Sequence, residues 1–223
     1  MCNANDPSYK QAFQLALRYL SYKIRSEHEL FIHLSNKGHP STCIDAVIKK
    51  LKSLHYLDDK KFAEVFVRSM MENQRKGRNL VKKVLTEKGI SDEVIVDALS
   101  LYPLEKEIKI AKEMTEKFFF QKKSLPLNQL KIKVYHYLLQ KGFTKEALNK
   151  SLVYLEEDEK FQRIMMEQQD TYCAEAMDLA KKFYEKYTKK ESNPFKLKQK
   201  IYGQLLRRGY SFDLIQSVIE ELL

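Results

Sequence analysis

This chain of 223 residues has no tryptophan and is poor in cysteine (3), proline (5) and glycine (6). Cys2, Cys43 and Cys173 are too few and too scattered for a disulfide framework or a CxxC metal site, which fits a reducing, cytoplasmic setting. No N-terminal apolar run resembles a signal peptide, and no stretch approaches a membrane span, so no membrane partner is expected. Segments that alternate apolar and polar residues at the β period are missing as well, which argues against a sheet.

Catalytic signatures are equally scarce. No phosphate loop of the GxxxxGK type occurs; Lys76-Gly77-Arg78 lacks both the preceding glycine and the following hydroxyl. The five histidines (His28, His33, His39, His55, His136) form no HExxH pair or other metal spacing. Asp58-Asp59 is the one carboxylate pair that suggests metal or acid–base work. It stands just before Phe62-Ala63, at a helix start, where acidic residues cap the backbone and complement the helix dipole. No nucleophile has a base at a useful spacing. The expectation is a protein with no enzymatic activity, no cofactor and no metal.

What the chain has is a repeat. Four times an amphipathic stretch ends in a basic residue and a glycine: Lys37-Gly38, Lys88-Gly89, Lys141-Gly142 and Arg208-Gly209. Aligned on Gly38, Gly89, Gly142 and Gly209, the fourth residue before is always leucine: Leu34, Leu85, Leu138, Leu205. Eight before stand Leu30, Val81, Val134 and Ile201; six after, Ile44, Ile95, Leu148 and Ile215; ten after, Ile48, Leu99, Leu152 and Ile219. These are helical spacings, and the glycine suits a left-handed C-terminal cap with the basic residue on the negative end of the dipole. After three of the glycines come a bulky residue and a hydroxyl (Ile90-Ser91, Phe143-Thr144, Tyr210-Ser211), read as a residue packing back and a cap for the next helix. In the first unit Ser41 or Thr42 would take the cap.

The predicted fold is all-α: an elongated, curved array of about four tandem three-helix repeats, a form that presents surfaces rather than a pocket. Residues 1–10 read as a loose leader, 11–57 as repeat 1, 58–103 as repeat 2 and 104–155 as repeat 3. Residues 156–175 read as a helical linker or an extended helix, because the glycine spacing stretches there, and 176–223 as repeat 4. In repeat 1 the first helix carries Phe13, Ala16, Leu17, Leu20 and Ile24, and Ser26 with Glu29 forms a capping box before the second. Asp58 is expected to cap the helix that buries Phe62 and Ala63.

Charge separates two readings of such units. Lysine and arginine number 40 against 30 acidic residues, a formal charge of +10 that favours polyanionic partners. The middle helices and their lead-ins are basic: Arg75, Lys76, Arg78, Lys82, Lys83 and Lys88 in repeat 2, Lys122, Lys123, Lys131, Lys133 and Lys141 in repeat 3, Lys196, Lys198, Lys200, Arg207 and Arg208 in repeat 4. The third helices of repeats 2 and 4 are acidic, with Asp92, Glu93 and Asp97, then Asp213, Glu220 and Glu221. A helix-turn-helix protein places its recognition helix against bases and phosphates, which acidic third helices would repel. Contact with a phosphate backbone or an acidic groove, without base reading, fits better.

Several phrases resemble one family. Arg25-Ser26-x-x-Glu29-Leu30, Leu34-x-x-Lys37-Gly38, Tyr56-Leu57-Asp58-Asp59-x-x-Phe62-Ala63, and Arg75-Lys76-Gly77 through Leu85-x-x-Lys88-Gly89-Ile90 are similar to the RecX regulatory proteins of bacteria. These phrases cover about residues 12–101; repeats 3 and 4 share only the apolar pattern and the glycine turn. The resemblance implies monomeric, cytoplasmic arrays of three-helix repeats that bind the RecA recombinase filament and the DNA within it. It further implies inhibition of RecA's ATPase, strand-exchange and coprotease activities. On that reading Arg25, Lys37, Arg75, Lys76, Arg78, Lys82 and Lys88 are the partner contacts, while Tyr56, Asp58, Asp59 and Phe62 fix the joint between repeats 1 and 2. A stand-alone, sequence-independent DNA-binding protein is the alternative.

Overall fold

Helix starts and stops along this chain are written in capping residues, and a computed structural model describes residues 6–122 and 125–222. The described residues hold thirteen α-helices and no strand. Cys2, Lys123 and the first half of the expected leader lie outside them. The remainder of that leader is not loose. Asp6 accepts from the Ser8 N–H and Pro7 occupies the first helical position, so α1 (Pro7–Tyr22) begins at once.

In the first repeat α1 packs with α2 (Glu27–Ser35) and α3 (Ser41–Ser53) around Ala12, Ala16, Leu30, Leu34, Ile44, Val47 and Leu51, all with no exposed surface. The Ser26–Glu29 capping box is formed at both of its bonds. Ile24 falls beyond the end of α1 and is 45% exposed, so it does not extend the apolar face. The cap of α3 is Pro40, with no side-chain bond from Ser41 or Thr42. In the second repeat, α4 (Asp59–Glu72), α5 (Arg78–Glu87) and α6 (Asp92–Leu99) pack mutually, and the Asp58 side chain accepts from the Lys61 N–H to start α4.

The third set comprises α7 (Leu104–Lys122), α8 (Leu127–Gln140) and α9 (Lys145–Glu157). The stretch after it is neither one long helix nor an open linker. Asp158 stops α9 and caps a short helix, α10 (Glu159–Glu167). Phe161 of α10 is fully buried, its ring centroid 4.7 Å from Phe119 of α7 and 5.2 Å from Tyr154 of α9. Next, α11 (Gln169–Thr188) begins well before residue 176 and packs with α12 (Pro194–Arg207) and α13 (Phe212–Leu222) around Ala176, Ala180, Ile201, Leu205 and Ile215. The chain divides into two compact units, Met1–Glu107 with Lys141–Thr144 and Ile108–Gln140 with Lys145–Leu223.

All four repeat glycines adopt left-handed backbone, with φ of 84°, 74°, 80° and 80° at Gly38, Gly89, Gly142 and Gly209. The recurring leucine has two tasks. Leu34, Leu85, Leu138 and Leu205 are fully buried, and the carbonyls of Leu34, Leu85 and Leu205 accept the N–H of the residue after the glycine, at 3.3, 3.1 and 3.4 Å. That residue packs back in three turns: Ile90, Phe143 and Tyr210 are at most 5% exposed. The hydroxyls that follow behave unevenly. Ser91 makes no side-chain cap, Ser211 Oγ accepts from the Leu214 N–H at a long 3.4 Å, and Thr144 Oγ1 donates to Glu107.

Each glycine turn after the first rests on the opening turn of the preceding middle helix. Ser26 Oγ donates to the Lys88 carbonyl at 2.8 Å. The Gly77 and Asn79 N–H groups donate to the Lys141 and Gly142 carbonyls at 2.9 and 3.0 Å. The Gln129 side-chain amide donates to the Arg208 carbonyl. Carboxylates from the following repeat cap two of those opening turns: Asp59 Oδ1 accepts from the Glu27 N–H at 2.9 Å, and Glu107 from the Arg78 N–H at 2.9 Å. Glu107 is fully buried and also accepts the Thr144 N–H at 3.1 Å and hydroxyl at 2.7 Å, so one carboxylate serves the starts of α5 and α9.

The fit at these contacts excludes a methyl group. A Cβ on Gly142 would lie 2.3 Å from Leu80 Cβ and 2.6 Å from Leu80 N, whereas one on Gly38 meets nothing within 4 Å. Gly38→Ala therefore incurs only the left-handed strain, about 1 kcal/mol, while Gly142→Ala adds overpacking and costs about 3 kcal/mol or more. Urea midpoints of the two variants measure the difference, and equal midpoints would refute the packed seat. Glu107→Ala strands two N–H groups and a hydroxyl, an expected loss of about 3 kcal/mol by the same measurement.

Acid should loosen the first joint through Glu29. Burial opposes its ionisation, but the Lys88 ammonium, the Ser26 N–H and the charge of Arg25 outweigh burial and hold its carboxyl below the usual value of 4.5. A lowered folded pKa gives stability that is present above pH 4.5 and lost as pH falls through the folded value. Asp59 has the opposite sign, since burial raises its pKa, and its cost is relieved by acid. Glu29→Gln should flatten the acid limb of a urea-midpoint-against-pH curve; an unchanged limb would remove Glu29 from the linkage.

Candidate partner-binding surface

The cations expected to meet a partner fall in three environments. Lys37, at the open first turn, and Lys82, on the outer face of α5, are exposed. Arg75, Lys76 and Arg78 are half-buried around the start of α5. Arg75 takes φ of 50°, a left-handed conformation uncommon outside glycine, in the turn where the Lys76 N–H donates to the Met70 carbonyl at 2.9 Å. Burial and the nearby charge of Lys141 lower the pKa of Lys76. The Lys76 and Lys141 ammonium groups thus lie close together at this joint.

Arg25 and Lys88 are differently employed. Lys88 Nζ pairs with Glu29 Oε1 at 2.5 Å, and Arg25 pairs with the same oxygen at 3.8 Å, their side chains only 25% and 18% exposed. The Arg25 guanidinium also lies 4.3 Å from the Tyr19 ring centroid, whose other neighbour is His33 at 3.9 Å. These two cations hold the joint, and Lys88 with Glu29 also lines a groove of about 350 Å³ together with Ile24, Phe62, Val65 and Phe66. Of the remaining motif residues, Asp58 and Asp59 cap α4 and α2 respectively, and Phe62 is 5% exposed. Tyr56 is 59% exposed, and the buried member of that phrase is Leu57.

Sequence reasoning missed Gly77, Glu107 and the pairing of Lys141 with Lys76. Gly77 leaves no room for a side chain: a Cβ there would lie 2.2 Å from the Phe143 nitrogen. Its one visible signal is position, since it occupies in repeat 2 the helix-capping place that Ser26 holds in repeat 1. Among the described residues no group of three or more His, Cys, Asp or Glu could hold a metal ion, and no helix is long and apolar enough to cross a membrane.

Comparison with known proteins gives this surface its context. Family models of the first, second and third RecX three-helix domains match residues 12–51, 58–99 and 170–219. The third match falls on α11–α13, so α7–α10 lie between the second and third matched domains. The chain is 34% identical over 216 residues to the regulatory protein RecX of Oceanobacillus iheyensis, covering 96% of this chain and 75% of that one. It is 31% identical over 219 residues to the RecX of Enterococcus faecalis, covering 96% and 77%. These alignments therefore run through the intervening helices as well. The crystal structure of RecX from Lactobacillus salivarius superposes with a TM-score of 0.62 at 30% identity, over 67% of this chain and 97% of that one. Repeat motif, three-helix architecture and similarity over nearly all of this chain agree, and the chain belongs to the RecX family of regulatory proteins.

Proposed function

We propose that this protein is a non-enzymatic, mainly negative modulator of the RecA recombinase. It binds in the groove of the RecA–DNA filament and inhibits the ATPase, strand-exchange and coprotease activities. The working form is a cytoplasmic monomer that grips several RecA protomers at once. The observation that carries this reading is the recurrence of one joint with exposed or half-buried cations beside it. Linked weak contacts gain avidity without any single strong site.

Lys37, Arg75, Lys76, Arg78 and Lys82 meet acidic protein surface or DNA phosphate, while Arg25 and Lys88, engaged by Glu29, position the first two repeats for that contact. The excess of positive charge also favours a second reading, a stand-alone DNA binder without sequence preference.

RecA's DNA-dependent ATPase on preformed filaments separates the two. Inhibition is expected well below one molecule per RecA protomer, and joint reversal of Arg75, Lys76, Arg78 and Lys82 to glutamate should abolish it with helicity intact. No inhibition by the native protein, alongside salt-sensitive binding to naked DNA, would transfer the assignment to the stand-alone binder. Full inhibition by the reversed variant would sink the residue assignment.

A further inference from the structure

One glycine in this chain has no structural reason to be a glycine. Gly203 lies inside α12, within regular helix, where glycine is the poorest residue after proline. Its φ is not left-handed, and a Cβ built there would meet nothing within 4 Å. Gly89, Gly142 and Gly209, by contrast, each have a close neighbour inside the chain. Among the described residues nothing sits against Gly203, which leaves a gap in the side-chain surface of α12.

The surroundings state the chemistry of a visitor to that gap. Lys196, Lys200, Gly203 and Arg207 follow one another at helical spacing, so they share a face of α12. With Gln199, Gln204 and Tyr187 of α11 they line an open groove of about 570 Å³. Lys196 and Arg207 are exposed, and Lys200 shares its charge with Glu191 at 2.9 Å. Between residues 181 and 208 stand ten lysines and arginines but only two acidic residues, Glu185 and Glu191, so this stretch of chain is strongly basic. A row of cations flanking a gap in the side-chain surface, with amide groups beside it, matches a chain of phosphates that must approach the helix closely.

We propose that the α12 groove binds the phosphodiester backbone of a nucleic acid strand, lying over Gly203 and held by Lys196, Lys200 and Arg207. The site uses none of the cations of the first two repeats and does not depend on RecA. Tyr187 is the aromatic ring among the lining residues, and the three cations and two amides beside it read charge and backbone shape and not base identity.

The test is anisotropy of a labelled 20-nucleotide single strand, and of the corresponding duplex, titrated with the full chain and no RecA. Gly203→Ala and Gly203→Leu should raise the Tm, because both are better helix formers, while weakening binding in graded fashion, the leucine by about tenfold. A loss of affinity in a more stable protein cannot be unfolding. The triple change Lys196→Gln, Lys200→Gln, Arg207→Gln should reduce the salt slope of log K by about 2 for the single strand. A loss confined to the single strand, or shared with the duplex, tells which form lies in the groove and supports the assignment either way. Wild-type affinity in Gly203→Leu, or an unchanged slope in the triple variant, would overturn it. So would polyglutamate of matched charge displacing the strand equally well, since the groove would then be a seat for an acidic protein. The absence of RecA from the assay keeps this outcome distinct from any failure of the filament reading.

Discussion

A helix that stops inside a protein leaves carbonyls at one end and N–H groups at the other without partners. Here the two deficits answer each other across successive repeats. The carbonyls of Lys88, Lys141 with Gly142, and Arg208 are met by donors in the opening turns of α2, α5 and α8. The negative end of one middle helix thus rests on the positive end of the one before it, which is the favourable sense of both dipoles. At Gly77 and Gly142 backbone meets backbone, and at Gly89 and Gly209 the His28 and Gln129 side chains fill the place a side chain would take, so the glycine turn and the joint are one device.

Placing the joint first orders the rest of the structure. The recurring leucine anchors the helix end whose carbonyls must be aimed, and the bulky residue after the glycine pins the turn from the other side. A buried and a half-buried carboxylate become tolerable because they work for the same kind of joint. Asp59 and Glu107 reach back to the first free N–H of α2 and α5, and Glu107 gathers three donors where an unpaired carboxylate would be costly. Arg25 and Lys88, cations by composition, are drawn into this bonding through Glu29. Lys37 and Lys82 remain on the surface and carry the unspent charge outward.

Much of this was legible from residues alone because it follows helical periodicity. The columns at Leu30, Leu34 and Ile44 and their counterparts mark core positions, and the Ser26–Glu29 box and Asp58 mark helix starts that the structure contains. What escaped depends on contacts distant in sequence. Nothing local distinguishes Glu107 from a solvated glutamate in the first turn of a helix, and Gly77 is needed only because Phe143 arrives beside it. The acidic run after α9 looks like solvated helix until Phe161, three residues beyond Asp158, is seen to fill a gap among aromatic rings. Ile24 continues an apolar period past the point where the backbone leaves the helix. Periodicity describes faces but cannot say where a face ends.

Gly38 carries the same turn as its three counterparts, yet nothing rests against it. The turn therefore closes α2 by its own bonds, and the joint is an addition to a turn that stands without it. A protein assembled in this way can change its length by whole units without inventing new joining chemistry. The helices α7–α10, standing between the second and third domains that define the family, fit that grammar: a further word placed in a sentence whose punctuation was already in place.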